Sequence, residues 1–387
     1  VILSIVKKLL IFYNSRIQDL IKNTMEYQNG GSHMRRVINA PSTYIQGPGE
    51  GKKLAEHYRS IGEGGVLLIT DRFVHEVYLG EMTESFDKAE ITWKEEVFTG
   101  ECCEKEIRRL AVVAGDCGAV FGIGGGKVQD TAKAAGHYSG KPVILVPTAV
   151  STDAPCSRIA VLYREDGTFD RYLSLKKNPD LIILDTEIIA HAPVRLFTAG
   201  MGDAISTYYE ASACRRSGAV TKAGGCVSIA AEALAKACLN TVLTYGEQAR
   251  MDVETQRCTE AVEHLVEANT YLSGIGFESG GLACAHALHN GLALLPELSS
   301  VMHGEKVAFC TLVQMVLEGR PEEEISRIRS FCRKVGLPVS LQDMNAGEIP
   351  DHRLLEVAVK SCSPEETMSH IGRAVEPEEV VRAMKSL

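Results

Sequence analysis

The sequence has little of what would tie it to nucleic acid, to a membrane or to an oxidising compartment. Its formal net charge is −9, and no basic stretch interleaves with aromatics, so nucleic acid is not an expected partner. Long uncharged apolar runs are missing. The most apolar stretch, near the N-terminus, is broken by Lys7 and Lys8 and is too short to span a bilayer. The twelve cysteines form no Cys-x-x-Cys pair, and only Cys102 and Cys103 are adjacent. Neither a disulfide framework nor a thiolate zinc site is expected, and the compartment reads as reducing and cytoplasmic.

What remains is an ordinary globular composition, 45% hydrophobic and 24% charged, in a chain of 387 residues whose length favours two domains. Gly31-Ser32-His33-Met34 has the form of a cloning-vector scar, which makes Met34 the expected native start and residues 1–33 an expression-vector addition. Ile2, Val6, Leu9, Tyr13, Ile17 and Leu20 nonetheless share one helical face. That helix is read as packing on itself or on a partner, with a membrane-surface helix as the alternative.

From residue 66 short β-branched runs alternate with helical stretches. Val66–Thr70, Ala119–Ile123, Val143–Val146 and Leu181–Asp185 read as buried strands, with helices from about Arg72 and over 104–115. This pattern predicts a parallel sheet with helices on both faces. Runs near 158–163 and 169–175 flank Asp166-Gly167 and predict an inserted hairpin. After about residue 195 strand-like runs cease and helical periodicity holds over 223–245, 256–273 and 305–318. The expected organisation is an α/β nucleotide-binding domain over 34–195 followed by an all-α domain over 196–387, with a ligand cleft between them.

Four motifs could carry chemistry. Gly122-Ile123-Gly124-Gly125-Gly126-Lys127 lies between a strand and a helix, where glycines let the backbone approach a pyrophosphate at a helix N-terminus. Asp71 closes the first strand; it suits an adenosine ribose and equally suits a helix N-cap. Pro147–Ser157 is a hydroxyl-rich loop after a strand, which by itself reads as a polar turn before the hairpin. Asp203, at a glycine-loosened helix start, with His286 and His303 would supply three N/O ligands and leave one position open, the pattern of a catalytic zinc. His289 shares a helix face with His286 and is read as lining the pocket. His57, His75, His137, His191, His264, His352 and His370 are read as structural.

Taken together and in order, Gly122–Lys127 with Asp130, Pro147–Ser157, Gly200–Ala204, Asn269–Gly281 and His303–Ala308 resemble the glycerol dehydrogenase family of the iron-containing, or group III, alcohol dehydrogenase superfamily. The similarity runs from about Val37 to the C-terminus. It implies the dehydroquinate synthase-like fold and NAD-linked oxidation of glycerol to dihydroxyacetone. It implies Asp203, His286 and His303 as metal ligands, and Gly125, Gly126 and Lys127 on the NAD pyrophosphate, with Asp71 on the ribose. Thr148, Ser151, Ser157, Ile159 and Tyr163 would line the nicotinamide half, and Asp153 would hydrogen-bond the polyol. A ring-based homo-octamer is also implied. Two departures stand out. Thr207 occupies the position where iron-dependent relatives carry a further histidine, which favours one Zn2+ per subunit, and the end at Glu376–Leu387 is shorter than expected. The alternatives are a 1,2-diol dehydrogenase or glycerol-1-phosphate dehydrogenase; the latter would need cations near the substrate, and none stands beside Asp153.

Overall fold

The computed structural model describes residues 35–344 and 349–387; the helix and vector segment expected over residues 1–33 lie outside them. Strands β1 (Thr43–Gly47), β2 (Val66–Asp71), β3 (Trp93–Phe98), β4 (Ala119–Gly124) and β5 (Val143–Pro147) are followed by the expected hairpin of β6 (Ile159–Tyr163) and β7 (Phe169–Ser174), then by β8 (Leu181–Asp185). All but the hairpin form one parallel sheet in the order β1-β8-β5-β4-β2-β3.

The inner strands read as unbroken apolar runs because both their faces are covered. Val66, Leu68, Phe121, Ile123, Ile144 and Ile183 pack with Leu54, Val74, Met82 and Phe86 of α1 (Leu54–Tyr58), α2 (Arg72–Val77) and α3 (Leu79–Lys88). Leu67, Ile69, Val120, Leu145 and Ile182 face the other way, into a core shared with α4 (Glu104–Val113), α5 (Gly126–Ser139) and the later helices. Each fully buried side chain of this size contributes roughly 1.5–3 kcal/mol. β1 and β3 are additions to the sequence-based expectation. They are the two edge strands, and β3 carries Lys94, Glu95 and Glu96 because it is only half covered.

Beyond α6 (Thr186–Ala190) the chain is helical: α7 (Val194–Ser217), α8 (Ile229–Glu254), α9 (Glu260–Glu267), α10 (Ser273–Gly280), α11 (Cys284–Leu292), α12 (His303–Leu317), α13 (Glu322–Val335), α14 (Asp351–Ser361) and α15 (Pro377–Lys385). The helix expected from residue 223 starts at Ile229, because Ser228 accepts from the Ala231 amide and caps it. The helix expected from 256 likewise starts at Glu260, capped by Thr259. It then passes through a π-helical turn, Ala268–Leu272, directly into α10. The last helix completes a core, with Val380, Ala383 and Met384 of α15 buried in one cluster with Leu288 and Val357. Among the described residues, no helix is long and apolar enough to cross a membrane.

Glycines set the closest approaches between these elements. A Cβ on Gly202 would lie 2.2 Å from the Gly304 carbonyl oxygen, and one on Gly304 would lie 1.8 Å from that of Ala199. The middle of α7 therefore presses directly on the start of α12. Gly200 and Gly202 permit this contact, and Asp203 sits well inside α7, where the sequence reading had placed it at a loosened helix start.

Candidate functional site

Adjacent strands β2 and β4 connect onward in opposite directions, to β3 and to β5. In parallel sheets the crevice beyond such a switch point is where ligands bind. Asp71 ends β2 there. Its Oδ1 accepts from the Val74 amide at 2.9 Å, capping α2, while its Oδ2 lies 3.4 Å from the Gly125 amide nitrogen. One carboxylate oxygen thus serves the helix and the other faces the glycine loop. Gly124 has φ of +147°, and a Cβ there would stand 2.6 Å from Asp71 Oδ2, so only glycine fits. At Gly125 and Gly126 a Cβ would meet nothing within 4 Å. No side chain caps α5, so its first amides face an open cradle that suits an anion.

The loop after β5 is fixed from both sides. The Thr148 amide donates to the Gly124 carbonyl at 3.3 Å. The buried Lys133 ammonium pairs with Asp130 at 2.8 Å and donates to the carbonyls of Ala154 and Ile159. The Asp130 Oδ2 accepts from the Val161 amide at 2.9 Å. Ser157 is buried, its hydroxyl donating to the Ala154 carbonyl at 3.1 Å, whereas Ser151 is half-buried. Lys127 and Tyr163 meet at the rim, with the ammonium 5.5 Å from the ring centroid and 2.6 Å from Glu101 Oε1. Thr148, Ser151, Ser157, Ile159 and Tyr163 thus belong to one segment of chain that runs on from β5 beside the glycine cradle, with Ser157 itself buried. On the other side, a Cβ on Gly200 would lie 1.9 Å from the Val150 carbonyl oxygen. One on Gly274 would lie 2.9 Å from that of Asp153. Asn269 Nδ2 donates to the carbonyls of Val150 and Phe197. The loop is wedged between α7 and α10.

Where this loop meets α7, Asp203, His286 and His303 converge, each offering a ligand atom within 4.8 Å of the others. Asp203 Oδ1 lies 3.5 Å from His286 Nε2 and 3.2 Å from His303 Nε2. Both Nδ1 atoms are already engaged. That of His286 is 2.6 Å from Glu210 Oε2, and that of His303 is 3.0 Å from His289 Nε2. With each Nδ1 so engaged, the two imidazoles turn their Nε2 atoms toward one carboxylate oxygen, so that a cation bound there would take the place of a proton on Nε2. Burial alone would raise the Asp203 pKa, but His303 and His286 outweigh it and hold the carboxyl well below the usual range. Burial opposes protonation of His286, yet Glu210 and Asp203 raise its pKa well above the ordinary value. Burial, then the neighbouring His303 and His286, depress that of His289.

Asp153 is buried beside this cluster, its amide 3.3 Å from Asp203 Oδ2 and its own Oδ2 accepting from the Ser273 hydroxyl at 2.7 Å. Burial, reinforced by Asp203, pushes its pKa up, and the Ser273 bond opposes the shift. Thr207 places its hydroxyl 2.8 Å from that of Ser273.

Three participants were missed from sequence. Glu210 is fully buried and accepts from the amides of Ala283 and His286 as well as from the His286 ring. Asp203, Thr207 and Glu210 lie four and three residues apart, one polar stripe on a helix otherwise rich in small and apolar residues, and that spacing was available to find Glu210. Ser273 had no such signal, because the π turn before it shifts the helical register. Gln129, buried beside the glycine loop, donates to the Gly124 carbonyl and leaves its Oε1 without a partner. Of the histidines set aside as structural, His57 pairs with Glu50, His75 with Glu95 and His191 with its own helix.

Residues 41–186 match the family model described as iron-containing alcohol dehydrogenase. The chain is 46% identical over 353 residues to glycerol dehydrogenase of Escherichia coli O6:H1, covering 91% of this chain and 96% of that protein. It is 40% identical to glycolaldehyde reductase of Halobacterium salinarum, over 91% of this chain and 95% of that one. Its fold is similar to the crystal structure of glycerol dehydrogenase from Schizosaccharomyces pombe, with a TM-score of 0.88, 36% identity, and 91% and 90% of the two chains covered.

Proposed function

The chain belongs to the iron-containing alcohol dehydrogenase family, and from that premise we propose that it oxidises glycerol to dihydroxyacetone with NAD as hydride acceptor. The observation that carries this reading is the juxtaposition of Asp203, His286 and His303 with the buried Asp153 carboxylate, at the end of a loop leading from the glycine cradle. Support for NAD comes from the open cradle at Gly125 and Gly126, the unpaired Gln129 acceptor and the Asp71 oxygen facing the loop. Zinc is supported by one carboxylate and two imidazoles with Thr207 turned away toward Ser273. When bound, the metal supplies Lewis-acid polarisation of the alcohol and NAD supplies the hydride acceptor.

The chain's own residues then divide the work. Gly125, Gly126 and Lys127 bind the pyrophosphate, and Asp71 takes the adenosine ribose and disfavours a 2′-phosphate. Thr148, Ser151, Ser157, Ile159 and Tyr163 hold the nicotinamide end in register with the metal ligands, which is positional catalysis. Asp153 accepts a hydrogen bond from a polyol hydroxyl that does not react and repels phosphate, so a neutral polyol is preferred to glycerol phosphate. Glu210 and His289 fix the rings of His286 and His303.

In this reading residues 34–195 form the nucleotide half and 196–387 the metal half, subunits assemble as a homo-octamer, and the enzyme is cytoplasmic, in keeping with twelve free thiols. Steady NADH formation with glycerol, absent with glycerol phosphate, tests the activity, and mass in solution tests the assembly. No NADH from glycerol with faster turnover of glycolaldehyde would overturn the substrate.

A further inference from the structure

Asp153 reaches its orientation through two buried hydroxyls that the reaction itself does not require. Ser273 Oγ donates to Asp153 Oδ2 at 2.7 Å, and Thr207 Oγ1 lies 2.8 Å from Ser273 Oγ. A serine hydroxyl has one proton. With Asp153 ionised, as its role as polyol acceptor requires, that proton goes to Asp153 and Thr207 donates to Ser273, so the chain runs from Thr207 to Ser273 to the carboxylate.

Each member is held by backbone and packing. Thr207 lies one helical turn beyond Asp203 on α7. A Cβ on Gly276 would stand 2.4 Å from Thr207 Cγ2, so the methyl is seated against that glycine and the hydroxyl is left facing Ser273. Ser273 follows the π turn, whose extra residue sets where it points. Asn269 pins that turn to the carbonyls of Val150 and Phe197. Thr207, Ser273 and Asp153 are buried. Hydroxyls in such a place cost desolvation that an alanine or a valine would not, and are retained without penalty only when fully bonded.

We propose that Thr207 and Ser273 are positioning residues that determine substrate specificity. They fix the rotamer of Asp153 so that its free oxygen selects polyols carrying a third hydroxyl. This rests on the reading of Asp153 as the polyol contact. In the absence of the chain, the carboxylate keeps its charge and place but not its aim.

The test uses the zinc-loaded enzyme with glycerol and with 1,2-propanediol. Thr207→Val keeps the shape and removes the hydroxyl, Thr207→Ser keeps the hydroxyl, and Ser273→Ala removes one oxygen. Thr207→Val and Ser273→Ala should each raise the KM for glycerol about tenfold. The KM for 1,2-propanediol, NAD affinity, zinc content and melting temperature should stay close to the parent values. Thr207→Ser should restore the glycerol KM to within about twofold, and neither substitution should add to the effect of Asp153→Ala. If Asp153→Ala raises the glycerol KM while Thr207→Val and Ser273→Ala do not, the inference fails and the reading of Asp153 stands. If Asp153→Ala leaves the glycerol KM unmoved, the reading of Asp153 fails first. Equal effects on both substrates, or effects persisting in the Asp153→Ala background, would show the hydroxyls to be structural and overturn the inference.

Discussion

The Nδ1 of His286 lies 2.6 Å from Glu210 Oε2, and the other oxygen of the same carboxylate accepts from the amides at the start of the helix that carries His286. One buried side chain therefore fixes both the ring and the backbone beneath it. Glu210→Gln should lower zinc affinity by about 10–100-fold. The glutamine can present an amide N–H to Nδ1, which drives the ring proton to Nε2 and blocks the ligand atom. Titration of the apoprotein with zinc against a chromophoric chelator gives the affinity. An unchanged value would reduce Glu210 to a helix cap.

Removal of the metal by exhaustive chelation should abolish glycerol oxidation, and Zn2+ should restore it. Asp203→Asn should lose the metal and keep NAD affinity, measured by NADH fluorescence, because the cradle and the metal ligands are carried by different helices. Parallel loss of NAD affinity would contradict that division.

Two glycines should behave in opposite ways. Gly126→Ala adds a methyl that meets nothing within 4 Å, so folding stability should hold or rise by about 0.4–1 kcal/mol, while NAD affinity falls as the cradle fills. Gly200→Ala places a methyl 1.9 Å from the Val150 carbonyl oxygen and should cost about 1–3 kcal/mol or more. Denaturant melts and NADH titrations of the two variants separate these effects. Equal destabilisation would mean the cradle is not open.

Asp71→Ser separates capping from cofactor choice. Serine caps a helix about as well as aspartate, so stability should change little, while the preference for NAD over NADP should narrow at least about tenfold as the carboxylate is lost. An unaltered cofactor ratio would leave Asp71 with only its structural bonds to the Val74 and Gly125 amides.

Much of the architecture was legible because its cause is local. β2, β4, β5 and β8 are buried on both faces and so are written as apolar runs, whereas the edge strands β1 and β3 keep polar residues and carry no such signature. The cradle was readable from three consecutive glycines between a strand and a helix. The grouping of Asp203, His286 and His303 has only a weak signature in spacing, since their convergence depends on the pressing of α7 against α12 at Gly202 and Gly304. Ser273 was hidden altogether, because a π turn breaks the period by which helical faces are read.

The wedge formed by Gly200 and Gly274 around the loop after β5 also bears on how such a chain can be inherited. The loop's carbonyls stand where any larger residue on the two helices would place its first side-chain carbon. A recombination event near residue 195, joining this sheet to the helices of a distant relative, would therefore succeed only if the incoming helices brought glycine at both places. The sheet with its loop is thereby tied to these two helices, and substitutions at the two glycines must travel with changes in the loop.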